Sequence, residues 1–187
     1  MSEQSVFCRM GDVALALGEA HQSNVAPTKI QLQKFIYLTD VLGQIVGLFK
    51  LGEGHKTYFN GPYDAGIQNA VNALAFRGLV RIAGTWRTAS GHIATKYALA
   101  PAGFELLHLI QENEALARKV RVAKLVGAEL SRLGWRNIVE LVYAEPTFVA
   151  TRPIGWGNRL AIEDGLSVSA AFLFAIMRRV ATTLHPC

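Results

Sequence analysis

YFNGPYDAGIQNAVNALAFRGLVRI, residues 58–82, is the stretch whose reading decides the fold. Asn60-Gly61-Pro62 marks a turn. Asp64 can cap a helix by accepting a backbone N–H, and Ile67, Val71 and Leu74 recur at the spacing of one buried helical face. Gly78 stands where a helix can end in the left-handed conformation, with Leu79 packing back on it. Leu79–Ala83 then reads as a strand. A polar stretch, Gly84 to Ile93, joins it to a second strand at Thr95–Leu99. Pro101-Ala102-Gly103 opens a further helix, since proline suits a helix's first turn.

Upstream, Val6, Met10, Val13 and Leu17 form one stripe of a helix that the HQSN stretch ends. Pro27 reads as the first turn of a second helix, with Phe35, Leu38, Leu42 and Ile45 along one face. The order helix, helix, helix, strand, turn, strand, helix is that of a winged helix. YALAPAGFELL, residues 97–107, resembles the common ending of such wings, with Ala100 where threonine is usual. Beyond it, Val122, Leu125, Val126 and Leu130 stripe a helix that Gly134 ends. Asn137 to Ala144 is a short helix stopped before Pro146, Thr151 to Gly157 a loop, and Leu166 to Leu184 a last helix. The expected fold is therefore mostly α with a small β-hairpin wing. Residues 1–110 make the winged-helix core, and residues 111–187 a helical extension packed on it as one compact unit.

Of the 187 residues, 51% are hydrophobic and 18% charged, a balance that excludes a disordered chain. It is also apolar enough to suggest surface covered by a partner. The polar start, with Glu3, argues against a secretory signal, and the run Leu166–Met177 falls short of the roughly 20 residues that span a bilayer. Two cysteines, Cys8 and Cys187, are too few for a disulfide framework. A cytoplasmic protein without membrane contact is expected. Through Gly78 six Lys/Arg face six Asp/Glu; from Leu79 onward thirteen face eight, so the net charge of +5 lies in the second half.

Nothing resembles catalytic apparatus. His21, His55, His92, His108 and His185 form no metal-binding pair, and His108 reads as a core or boundary residue. There is no nucleophile elbow or phosphate loop, and Gly155-Trp156-Gly157 reads as a turn around a partly buried ring. Cys8 lacks an evident histidine partner. The acidic pairs Glu163-Asp164 and Glu112 with Glu114 read as solvated faces or caps. No enzyme activity, cofactor or metal is expected.

A winged helix raises the question of DNA. The third helix offers Gln68, Asn69, Asn72 and Arg77, a poor set for neutralising phosphates. Arg118, Lys119, Arg121 and Lys124 make a better phosphate track, suited to non-specific contact with DNA or to an acidic protein face. Tyr58, Phe59, Pro62 and Tyr63 are expected to form a rigid corner, either packing the core or docking a partner. The last helix is apolar around most of its circumference, Phe172 and Phe174 included, and Arg178 and Arg179 suit the negative end of its dipole. It is expected to be sandwiched between its own domain and a partner subunit.

KIQLQKFIYLTDVLG (29–43), residues 58–80 and ELSRLGWRNIVELVYAEPTF (129–148) resemble small prokaryotic proteins of the YwgA and Panacea (SocA-like antitoxin) groups. They also resemble the middle components of three-component defence systems built around an SMC- or ABC-type ATPase, such as Lamassu. Gln33, Lys34, Tyr37, Leu38, Tyr58, Gly61, Pro62, Tyr63, Gly78, Leu79, Tyr143, Pro146 and Phe148 carry the likeness, with Asp64 departing from the usual serine. The resemblance implies a non-enzymatic adaptor in an antiphage complex, docked on an SMC-like ATPase and its effector. The alternative is a winged-helix DNA-binding repressor of the antitoxin kind.

Overall fold

A computed structural model describes residues 3–45, 47, 54–58, 60–151, 153, 155, 157 and 160. The expected last helix, with Phe172 and Phe174, lies outside these residues, as do Phe59, Trp156 and Glu163-Asp164. The described chain is mostly α with a small β-hairpin wing: a winged-helix core followed by further helices. Its elements are α1 (Glu3–Gln22), α2 (Lys29–Ile45), α3 (Ala65–Phe76), β1 (Val80–Arg87), β2 (Ile93–Leu99), α4 (Pro101–Glu112), α5 (Ala117–Leu133), α6 (Ile138–Tyr143) and α7 (Pro146–Thr151).

Local chemistry explains most boundaries. After α1, Asn24 takes a left-handed φ of 55°, Val25 N–H reaches back to Ala20 O and Asn24 N–H to His21 O. The same closure follows α3: Gly78 has φ 70°, Leu79 N–H donates to Leu74 O and Gly78 N–H to Ala75 O. Asp64 caps α3, its carboxylate accepting from Gly66 N–H at 2.7 Å. Ala100 gives α4 no side-chain cap, and Pro101 opens that helix as expected.

Pro27 lies two residues ahead of α2 rather than inside it. Its carbonyl accepts from Tyr97 N–H, and Thr28 bridges Lys96 antiparallel, so residues 27–28 add a short third edge to the hairpin. Thr28 and Gln31 then cap α2 reciprocally, Thr28 N–H on Gln31 Oε1 and Gln31 N–H on Thr28 Oγ1. The wing is longer than its expected strands. Gly84 to Arg87 continue β1, because a bulge at Ala83 restores pairing after the alternation breaks. Pro146 starts α7 instead of merely ending α6; Glu145 caps it through Phe148 N–H.

One core runs from Met10 to Leu160. α2 is its centre, buried from Leu32 to Gly43 on every side, with α1, α3, α5 and α6 against it. Phe35 stacks on Trp135 at 5.4 Å between ring centres. The stripe of α5 is Val122, Val126 and Leu130, while Leu125 faces outward. His108 is likewise exposed, beside Glu112 one turn on, so it is a surface residue and not a core one.

Gly103 lets α4 lie directly on the chain leaving α3: a Cβ there would stand 2.0 Å from Leu79 O. Gly84, by contrast, has open space around it. Gly103→Ala should therefore lower stability by about 1–3 kcal/mol, the usual cost of overpacking. Gly84→Ala should leave the melting temperature within a degree or two of wild type, about the spread of a neutral surface change. Equal melting of the two variants would contradict the packing described.

Candidate functional site

The most polar place in the molecule is inside it. Arg9 (α1), Asp12 (α1), Asp40 (α2), His55 and Asp64 are all buried, and they meet where α1, α2 and the α3 cap converge. Arg9 Nη1 donates to Asp40 Oδ2 at 2.6 Å and Asp12 Oδ2 at 2.8 Å, while Nε donates to Asp64 Oδ2 at 2.8 Å. Lys119 of α5 closes the fourth side on Asp12. Burial opposes the charge on Arg9, but Asp40, Asp12 and Asp64 outweigh it and raise its pKa. Burial would likewise raise Asp40; Arg9, the His55 hydrogen bond and Lys119 instead bring its pKa down to about 2. An ionised carboxylate can only accept, so His55 Nε2–H donates to Asp40 at 2.9 Å. Nδ1 of the same ring has no partner among the described residues.

Several residues of the expected motif, Gln33, Lys34, Tyr37, Gly61, Tyr143 and Phe148, lie around this centre or beside it. Gln33 clasps the backbone of Asp64 with both ends of its amide, at 2.8 and 2.9 Å. Lys34 donates to Pro62 O at 2.9 Å, and burial lowers its pKa to about 7. Gly61, at φ 88°, leaves the space that the Lys34 ammonium and the Tyr143 ring occupy. Tyr37 donates to Glu145 at 2.6 Å; burial first, then the Glu145 charge, raises its pKa well above the usual value. Tyr143 stacks on Phe148 at 5.5 Å. Read together, these contacts tie the 54–64 loop to α2 and to the α6–α7 corner.

The expected corner is a tight loop. Lys56 and Tyr63 exchange both backbone hydrogen bonds, and Gly61 N–H returns to Tyr58 O. The rings of Tyr58 and Tyr63 lie 5.3 Å apart, with Tyr58 54% exposed and Tyr63 half-buried. Gly155, Gly157 and Leu160 lie beside this loop, Gly155 O accepting from Thr57 Oγ1, Gly157 N–H donating to Thr57 O and Leu160 N–H to His55 O.

The expected phosphate track divides. Lys119 turns inward to Asp12, and Lys124 lies near Glu19, whose pKa burial raises and Lys124 partly lowers. Arg118 and Arg121 face solvent. On α3, Gln68 and Asn72 bond to each other at 2.8 Å, and Phe76 at its end is 94% exposed. Exposed apolar side chains continue on the wing, Ile82 at 62% and Ile93 at 73%, on the face they share with Tyr97. Spacing on single elements could not have located the ion centre, because its partners sit 31 and 55 residues apart. One signal is present in the sequence: Gln33, Tyr37 and Asp40 fall at i, i+4 and i+7 and so form a polar stripe along α2.

No helix among the described residues is long and apolar enough to cross a membrane, and no group of three His, Cys, Asp or Glu side chains among them is placed to hold a metal ion. No protein-family model and no curated protein matches the chain.

Arg9→Met should cost roughly 3–5 kcal/mol, because three carboxylates would remain buried without their cation. Asp40, held low in the fold, contributes stability that is present above about pH 4 and lost as pH falls towards its folded value near 2. The gap between wild type and Arg9→Met in urea denaturation should therefore narrow between pH 4 and 2. Lys34 works in the opposite range. With its folded pKa near 7, the unfolded chain binds the extra proton from pH 7 up to its ordinary value, so stability rises with pH there. Lys34→Met should flatten that rise between pH 7.5 and 9.5, roughly the window those two values define; parallel slopes would show that the ammonium is not desolvated.

Proposed function

We propose that the protein is a non-catalytic adaptor subunit of a prokaryotic antiphage defence complex, acting in the cytoplasm. In this reading it docks on an SMC- or ABC-type ATPase and links it to an effector. The observation that carries the reading is the apolar rim formed by Phe76, Ile82 and Ile93, large side chains left in water at the end of α3 and along one face of the wing. α3 packs against β1, which sets the end of α3 beside the base of the wing, and Ile93 lies further out on the same face as Ile82. Exposed apolar side chains of this size mark protein-binding surfaces more often than nucleic-acid ones.

Two further features support it. The buried ionisable groups are bonded to one another, which is what scaffolding asks of them. Two of the three amides on α3 that would read base edges, Gln68 and Asn72, are engaged with each other. The sequence resemblance supplies the class of partner.

The test is co-purification of the tagged chain with the products of its neighbouring genes. Phe76→Glu/Ile82→Glu/Ile93→Glu changes only exposed positions and should fold normally while losing a coiled-coil ATPase from the eluate. Retention of that partner would refute the docking surface. A sub-micromolar footprint of the isolated protein on one defined DNA site would replace the adaptor with the repressor.

A further inference from the structure

We propose that the opposite face of the wing binds the phosphate backbone of duplex nucleic acid, independently of the apolar rim. Cross-strand pairing sorts the hairpin into two faces. Val80/Leu99, Ile82/Tyr97, Thr85/Thr95 and Arg87/Ile93 share one; Arg81/Ala98, Gly84/Lys96 and Trp86/Ala94 share the other. The bulge at Ala83 makes this sorting, since it carries Trp86 to the side of Lys96. The second face thus holds two exposed cations and one exposed indole, with only glycine and alanine between them. Lys96 Nζ lies 5.5 Å over the Trp86 ring, which keeps the cation on that face.

Charge selects the occupant. Between Asp64 and Glu105 the chain has no carboxylate at all, while Arg77, Arg81, Arg87 and Lys96 fall in that interval. The wing and the turn before it therefore present cations with no acid near them in sequence. A polyanion of regular spacing answers such a surface, and duplex DNA carries one negative charge per about 1.7 Å. The hairpin tip is slim: Thr88, Ala89, Ser90 and Gly91 turn it, with the Gly91 carbonyl accepting from Arg87 at 3.2 Å. Small residues there let the backbone approach a groove wall. Contacts to phosphate carry no information about the bases, so binding through this face is indifferent to sequence.

The test measures anisotropy of a labelled duplex of about 20 base pairs with the full chain across a salt series, over which phosphate contacts show as a slope. Wild type should bind with a linear loss of log affinity in log salt. Arg81→Glu/Lys96→Glu should weaken binding about ten-fold or more and reduce the slope by about two, one unit per lost phosphate contact. Arg81→Gln/Lys96→Gln should do the same in smaller measure, and both variants should melt like wild type. Arg118→Glu/Arg121→Glu on α5 should change affinity less than about two-fold. Phe76→Glu/Ile82→Glu/Ile93→Glu adds negative charge, so Phe76→Ser/Ile82→Ser/Ile93→Ser serves as the apolar control and should bind DNA as wild type does. The proposal fails if wild type does not bind duplex, or if the α5 variant and not the wing variant loses it. It also fails if polyglutamate competes as well as DNA of equal charge, which would point to an acidic protein, or if a single strand binds more tightly than the duplex.

Discussion

Arg9 holds three carboxylates from three different parts of the chain, Asp12 one turn along its own helix, Asp40 in the middle of α2 and Asp64 at the start of α3. Each of these acids would be strongly unfavourable where it lies without the guanidinium, since a buried charge needs a bonded partner. The geometry therefore fixes α1, α2 and the α3 cap against one another more sharply than apolar packing alone. Hydrophobic contact tolerates small slides, whereas a fork of N–H donors on three carboxylates has one good arrangement. Asp64 shows the economy of the design. One oxygen caps α3 through Gly66, the other accepts from Arg9, and its backbone is clasped by Gln33.

The second constraint is the central position of α2. Helices on both sides bury it, so the residues that would be surface polar groups on an ordinary amphipathic helix must find partners indoors. Gln33, Lys34, Tyr37 and Asp40 do so on the 62–64 backbone, on Glu145 and in the ion centre. Lys34, Gly61 and Tyr143 also meet there, packed against one another. The surfaces open to partners, the two faces of the wing and the end of α3, lie in other residues.

Much of the architecture was legible because it rests on local chemistry. The α3 cap at Asp64, the closure at Gly78 and the start of α4 at Pro101 need only neighbours within a few residues. The misplacements come from longer reach. Pro27 looked like a helix start because a single bridged residue, Thr28, leaves no alternation to read. β1 seemed to end at Ala83 because the bulge interrupts its period there. Spacing puts His108 and Leu125 on faces that the tertiary packing leaves uncovered, and puts Lys119 among surface cations although Asp12 draws it in. The ion centre joins groups far apart in sequence, so only the polar stripe on α2 announced it.

The extra residue at Ala83 has a consequence for how such a wing can change over generations. Side chains on a strand alternate, so one residue more or fewer inverts every face beyond that point. The hairpin tip, between Thr88 and His92, lies past the last pair of the ladder, and lengthening it leaves both faces as they are. A deletion at position 83 would only remove the bulge, leaving Ile82 on Tyr97, Gly84 on Lys96 and Trp86 on Ala94, whereas an insertion between Gly84 and Trp86 would turn the indole to the wrong side in a single step. Variation in length should thus accumulate at the tip, be tolerated as a loss at the bulge and be purged within the paired ladder, giving the hairpin one freely drifting end and one point of slack in its register.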